Sequence, residues 1–235
     1  ADGRLALFAG GGSDLLALVK DQIETPDVIV HLRSIKGADQ VAPSAAGLSI
    51  GGLITLDALS RDVTVRGQYT VLAEAADAVA TPQIRNVGTL AGNVCQRPWC
   101  WYYRNGFPCY KAGGNRCFSV AGENEFHAIF GGGPSYIVHP SDTAPALMAL
   151  GATFSISGPI GDRRLTAQEF FTSPRQNAAK ENGIGAAIAQ RLAGDGIVVV
   201  ASDAQAMGVD NDNSLKRQTD WRGLESLVAA IVAAG

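Results

Sequence analysis

Phe8-Ala-Gly-Gly-Gly-Ser-Asp-Leu15 decides how the first half of the chain is read. The apolar run Leu5-Ala-Leu-Phe8 stops at three consecutive glycines, after which Leu15, Leu16, Leu18, Val19 and Ile23 recur at helical spacing. Ser13 or Asp14 is placed to cap that helix, so the segment predicts a strand, a glycine turn and a helix. Glycines at such a turn let backbone N–H groups approach a phosphate closely, although the same residues also serve as a plain capped βα connection.

Working outward, Pro26 ends the helix, and residues 28–32 predict a strand with Val28, Val30 and Leu32 on one face. Leu48-Ser-Ile-Gly-Gly-Leu-Ile54 is a strand candidate broken by a glycine pair, with Thr55 capping a short helix over residues 56–59. Residues 69–80 predict an amphipathic helix. Further on, residues 136–138 predict a strand, Ser141 or Asp142 caps a helix over residues 144–150, and residues 152–156 alternate like a half-buried strand. Residues 159–162 turn the chain back toward Arg164-Leu165, and Glu169-Phe-Phe171 reads as a helix edge anchored in the core. A second bend, Ala80-Thr-Pro-Gln-Ile-Arg-Asn-Val-Gly-Thr-Leu-Ala-Gly-Asn93, offers Thr81, Gly88, Thr89, Gly92 and Asn93. Two such bends suffice to hold the two ends of one diphosphate.

Composition narrows the partners. With 235 residues, 46% hydrophobic and 17% charged, the chain can bury a core of its own. A net charge of −3 with no stripe of Lys and Arg argues against nucleic acid. No apolar run approaches the about 18 residues a membrane span requires. The opening residues show no basic region followed by a long apolar segment, so a cytoplasmic protein is expected, or a periplasmic one exported on a partner's signal.

All four cysteines, Cys95, Cys100, Cys109 and Cys117, fall within residues 94–133, where hydrophobic periodicity disappears and aromatics and glycines crowd together. Disulfides are chiefly a device of small exported domains. Structural zinc usually takes close cysteine pairs, and the gaps here are four, eight and seven residues. An iron–sulfur cluster tolerates irregular loops between its thiolates, and inert thiols are the remaining alternative. Trp99, Trp101, Tyr102 and Tyr103 either shield such a cluster or pack as ordinary core, and His127 either orients the loop or is solvated. His31 reads as a structural residue of its strand, and His139 as one that shapes the turn before Pro140.

Three separated motifs, residues 8–15, residues 80–93 and His139-Pro-Ser-Asp-Thr-Ala-Pro-Ala146, resemble in order and spacing the FAD-binding subunit of the molybdenum hydroxylases. That family includes xanthine dehydrogenase, aldehyde oxidoreductase and carbon monoxide dehydrogenase. The resemblance covers about residues 5–175. It implies an α+β flavin-binding fold of two subdomains with FAD stretched between them. It further implies that Ala9, Gly10, Gly11, Gly12, Ser13, Asp14 and Leu15, with Thr81, Gly88, Thr89, Gly92 and Asn93, hold the diphosphate region, and that Asp142 lies near the ribose. A Gly11→Val side chain would then fill the diphosphate space without unfolding the domain.

The stretch from Gln96 to Arg104 resembles a subset of these subunits, found among periplasmic aldehyde oxidoreductases and in 4-hydroxybenzoyl-CoA reductase, that carries a [4Fe-4S] cluster. That implies Cys95, Cys100, Cys109 and Cys117 as ligands. Ser135 stands where those relatives have their last cysteine, so either Cys95 is the fourth thiolate or the cluster is incomplete or absent. Ala91 stands where the family commonly has glycine, which would crowd a phosphate.

The expected organisation is a flavin-binding domain over residues 1–175, containing the insertion 94–133, and an atypical tail over residues 176–235. That tail resembles the opening helix and second strand of a short-chain dehydrogenase. Ala179 occupies the first glycine position of its fingerprint and no Tyr-x-x-x-Lys follows, which argues against nicotinamide binding. The implied function is an electron-transfer flavoprotein subunit, partnered by a molybdopterin-binding large subunit and a [2Fe-2S] small subunit. The flavin carries the redox chemistry and the chain supplies no catalytic side chain. The competing readings are a noncatalytic scaffold built on a truncated or fused flavin-type domain, and a zinc-stabilised binding domain.

Overall fold

The computed structural model describes residues 6–44, 47–96, 99–130, 133–158, 161–171 and 197–199. Strand β1 (Ala6–Ala9) runs into the glycine turn and helix α1 (Leu15–Lys20), and β2 (Val28–His31) returns parallel to β1 with Ala6 opposite Val28. Asp14 sits at the N-cap of α1 without bonding the helix through its side chain. Phe8, Leu32, Ala38 and Leu53 are buried together beneath this pair of strands.

A second sheet has the order β3 (Val41–Ser44), β4 (Gly47–Ile50), β7 (Ile197–Val199), β5 (Thr153–Gly158) and β6 (Gly161–Thr166). β3 with β4 and β5 with β6 are antiparallel pairs, while β7 lies parallel to both β4 and β5. The expected tail strand thus pairs within the sheet over residues 197–199. The tail's linker and two expected helices lie outside the described residues, as do Arg97, Pro98, Pro159 and Ile160.

Helices α2 (Leu56–Arg61), α3 (Val63–Gln68), α4 (Thr70–Ala78), α6 (Leu90–Cys95) and α8 (Thr143–Ala149) cover this sheet. α4 packs against α2, α3 and α8, and α6 packs against α8. Thr55 caps α2, its side chain accepting from Ala58 N, while Asp62 accepts from Thr64 N and Val65 N to start α3. Their buried faces, including Leu59, Leu72, Leu90, Val94 and Leu147, meet Leu48, Ile50, Phe154 and Ile156 from the strands. Thr166 and Glu169 form a capping box on α9 (Ala167–Phe170), which drives Phe170 against Phe154 at a ring-centroid distance of 4.1 Å.

Residues 136–138 are not a strand. Tyr136 and Val138 are 42% and 53% exposed, and among the described residues no neighbouring strand supplies the ladder that an apolar tripeptide needs to become one. Short helices α5 (Pro82–Arg85) and α7 (Trp101–Arg104) flank α6, and the irregular region opens only after Cys95. Among the described residues no helix is long and apolar enough to cross a membrane.

Candidate functional site

The two glycine-containing bends touch. A Cβ placed on Gly11 would stand 2.7 Å from the Val87 carbonyl carbon and 2.9 Å from Gly88 Cα, nearer still to the Val87 oxygen; one on Gly10 would stand 2.9 Å from Thr89 Oγ1. Nothing larger than hydrogen fits at Gly11 without moving backbone, and Gly12 adopts a φ of +76°, which L side chains disfavour. The second bend is held in turn: Leu56 N donates to Gly88 O at 2.9 Å, Leu90 N to Ile54 O at 3.0 Å and Ala91 N to Gly52 O at 2.9 Å. Thr89 Oγ1 accepts from Gly92 N at 3.0 Å to start α6, and Arg33 Nη2 donates to Val87 O at 2.6 Å.

Between the bends lies a cleft of about 290 Å³, near the lower end of the range for small-molecule sites. Ala9, Gly10, Gly11, Gly12, Ser13, Asp14, Leu15, Gly88, Thr89, Gly92, Asn93 and Asp142 line it together. Thr81 does not: its hydroxyl accepts from Ile84 N to cap α5, and the cleft wall at that point is Ala80, whose φ is +41°. Ala91 also faces away, its methyl buried in the main core, so it crowds nothing in the cleft. The expected effect of a side chain at Gly11 is likewise corrected, since it would strike the neighbouring bend instead of filling ligand space. The wall residues that sequence reasoning missed, Leu56, Val79, Ile84, Gln96, Trp99 and Pro140, carry no local signal beyond being apolar or flexible. Backbone at the bends and apolar side chains further along suit the diphosphate and ribose part of a dinucleotide.

Asn93 fixes the floor of the cleft. Its Oδ1 accepts from the Ser141 hydroxyl and the Thr143 hydroxyl, both at 2.6 Å, and from Thr143 N at 3.4 Å. The amide N–H groups are therefore the side of Asn93 that can donate into the cleft. The Ser141 hydroxyl also accepts from Ala144 N and supplies the cap that Asp142 does not, leaving Asp142 exposed at the cleft edge. His139 Nδ1 accepts from Ser141 N at 3.3 Å, and the ring packs edge-on against Phe171. Burial pushes the His139 pKa below its ordinary 6.5, partly offset by the Val94 backbone bond. His31 is exposed at the end of β2.

The insertion reaches this site through α7. Arg104 Nη2 lies 2.7 Å from Asp14 Oδ1, its side chain only 2% exposed, and its guanidinium stands over the Trp99 ring at 4.8 Å. Behind it Trp101, Tyr102, Phe107 and Phe118 pack ring on ring, with His127 against Tyr102. Beyond Trp99 and Pro140 a second cavity of about 870 Å³ opens within the insertion.

The thiols do not form a common donor set. Cys95 is carried by α6 into the hydrophobic core at 1% exposure. Cys109 is buried, and Cys100 Sγ lies 3.4 Å from His127 Nε2. Cys117 Sγ lies 3.0 Å from Ser119 Oγ. Burial raises the Cys117 pKa, but hydrogen bonds from Ser119, from the Tyr136 backbone and from the Ser135 hydroxyl outweigh it and hold the thiol below its ordinary 9.0. Among the described residues no three His, Cys, Asp or Glu side chains gather as a metal site, so Cys100, Cys109 and Cys117 as placed do not fit a four-iron cluster.

A glycine-bend cleft beside a mixed sheet with helices is of the kind that takes a dinucleotide, and comparison with known proteins sharpens that. Residues 1–189 match the family described as the FAD binding domain in molybdopterin dehydrogenase, and the chain belongs to this family. It is 37% identical over 174 residues to the aldehyde oxidoreductase FAD-binding subunit PaoB of Escherichia coli (strain K12), covering 72% of this chain and 54% of that one. It is 33% identical over 84 residues to the nicotinate dehydrogenase FAD-subunit of Eubacterium barkeri, covering 36% of this chain and 28% of that one. In fold it is similar to carbon monoxide dehydrogenase from Hydrogenophaga pseudoflava, with a TM-score of 0.54 at 21% identity over 77% of this chain and 49% of that one. The chain spans about half the length of the curated relative it matches at 37% identity.

Proposed function

We propose that the chain is the FAD-binding part of an electron-transfer subunit of a molybdopterin-dependent dehydrogenase of the aldehyde or xanthine oxidoreductase type. The observation that carries this reading is the convergence of the two bends on one backbone-walled cleft. FAD, when bound, accepts and passes on electrons; the chain's own residues bind and position it. Residues 9–15 and 88–93 would grip the diphosphate through backbone groups, Asn93 would donate its amide, and Asp142 would lie beside the ribose. Substrate oxidation would belong to a molybdopterin-binding large subunit, with a [2Fe-2S] small subunit delivering electrons to the flavin and an external acceptor removing them. A four-iron cluster in the insertion would need Cys100, Cys109 and Cys117 to converge with a fourth ligand, and no step is assigned to it.

The test is reconstitution of the full chain with FAD, followed by gel filtration and flavin absorbance, with iron and acid-labile sulfide measured on the same sample. One flavin retained per chain is the expected result. A chain that elutes without flavin at saturating FAD overturns the reading.

A further inference from the structure

Asp14 presents a carboxylate at the rim of a cleft whose proposed ligand carries a doubly charged diphosphate, so by itself it has the wrong sign for the site. Arg104, 90 residues away in the sequence, is buried against it at 2.7 Å. Arg104 is a poor stability device: its Nε and Nη1 are buried and find no hydrogen-bond partner among the described residues, and a Met or Leu would pack there without that penalty. What it does supply is cancellation of the Asp14 charge and a seat for Trp99, which also lines the cleft.

We infer that Arg104 is the positioning residue of the cleft: from the cysteine-containing insertion it neutralises Asp14 and braces Trp99, so that an anionic dinucleotide meets a glycine bend without net repulsion. The inference rests on reading the cleft as a flavin-diphosphate site. It makes the insertion an electrostatic part of that site through α7, whatever the thiols do. The α7 turn, in which Arg104 N donates to Cys100 O at 2.9 Å, sets where the guanidinium lies.

The test is FAD affinity, by flavin fluorescence quenching, for the full-length wild type, R104M, and the double variant R104M with Asp14→Asn, each at low and high salt, with circular dichroism to verify folding. R104M is expected to weaken FAD binding about tenfold or more at low salt, because the carboxylate beside the diphosphate loses its buried guanidinium. The loss should shrink at high salt, and the double variant should return toward wild-type affinity. A merely structural role would give neither the salt dependence nor the rescue. R104K keeps the charge and is the second probe should R104M not fold; it should bind FAD more tightly than R104M, or retain binding where R104M is unfolded. Equal affinity of wild type and R104M overturns the inference while leaving the cleft reading intact. So does a loss that is insensitive to salt and not rescued, or an R104K that folds but has lost FAD. Failure of the wild type to bind FAD overturns both.

Discussion

Gly11→Ala is the sharpest test of how the site is built. The added carbon would start 2.7 Å from the Val87 carbonyl carbon and 2.9 Å from Gly88 Cα. Carbon pairs rest at about 3.5 Å or more, so the carbonyl-carbon contact alone parts the two bends by roughly 0.8 Å, and the Val87 oxygen, nearer still, demands more. The obstacle is backbone, tied through Gly88 O to Leu56 N and through Leu90 N to Ile54 O, and so cannot swing aside as a side chain would. Overpacking against a fixed neighbour costs about 1–3 kcal/mol. For a domain of this size that lowers the melting temperature by roughly 2–12 °C. Opening the seam also displaces the N–H groups proposed to face the diphosphate. G11A should therefore lose both stability and retained flavin, read by differential scanning fluorimetry with and without FAD and by flavin absorbance after gel filtration. A G11A protein with wild-type melting temperature and full flavin content would refute the packing argument. One that keeps its stability but loses flavin would restore the view that Gly11 leaves room for ligand and not for the neighbouring bend.

Gly67→Ala is the matched control: Gly67 lies within α3 with nothing within 4 Å of its Cβ position, so alanine should be neutral or stabilise by about 0.5–1 kcal/mol in urea unfolding. Asn93→Ala removes the acceptor of two buried hydroxyls and should cost about 2–6 kcal/mol in the same assay, at roughly 1–3 kcal/mol per stranded group. His139 carries a pH signature. Because its folded pKa lies below 6.5, the unfolded chain takes up a proton that the folded one resists. Its contribution is therefore whole above pH 6.5 and lost as pH falls from there toward the folded-state pKa. H139N should flatten the fall in melting temperature over that interval, and an unchanged slope would show that another group is responsible.

Local chemistry was legible where a residue acts on its immediate neighbours. The glycine turn between β1 and α1, the caps at Thr55 and Ser141, and the amphipathic α4 all follow from patterns a few residues long. The meeting of residues 9–15 with 88–93 in one cleft was suggested by the family motifs, but its tightest point, Gly11 on Val87, was not. That contact joins segments distant in sequence and leaves no periodic trace. The same is true of Arg104 with Asp14 and of Asn93 with Ser141 and Thr143. Clustering in sequence says nothing about which thiols a helix will carry inward, and the burial of Cys95 was not legible: α6 continues past Asn93 and turns it into the core. Residues 136–138 show the converse, an apolar run that finds no partner strand among the described residues.

Trp99 stands as a party wall, with the glycine-bend cleft on one side, the 870 Å³ cavity on the other, and two-thirds of its surface bare. An indole so placed is a built-in optical gauge: its emission should be quenched by energy transfer when a flavin arrives, and should shift colour when the insertion's cavity fills or dries. Replacing Trp101 and Trp221 with phenylalanine would leave that single lamp lit, letting each compartment be watched in an otherwise unlabelled protein.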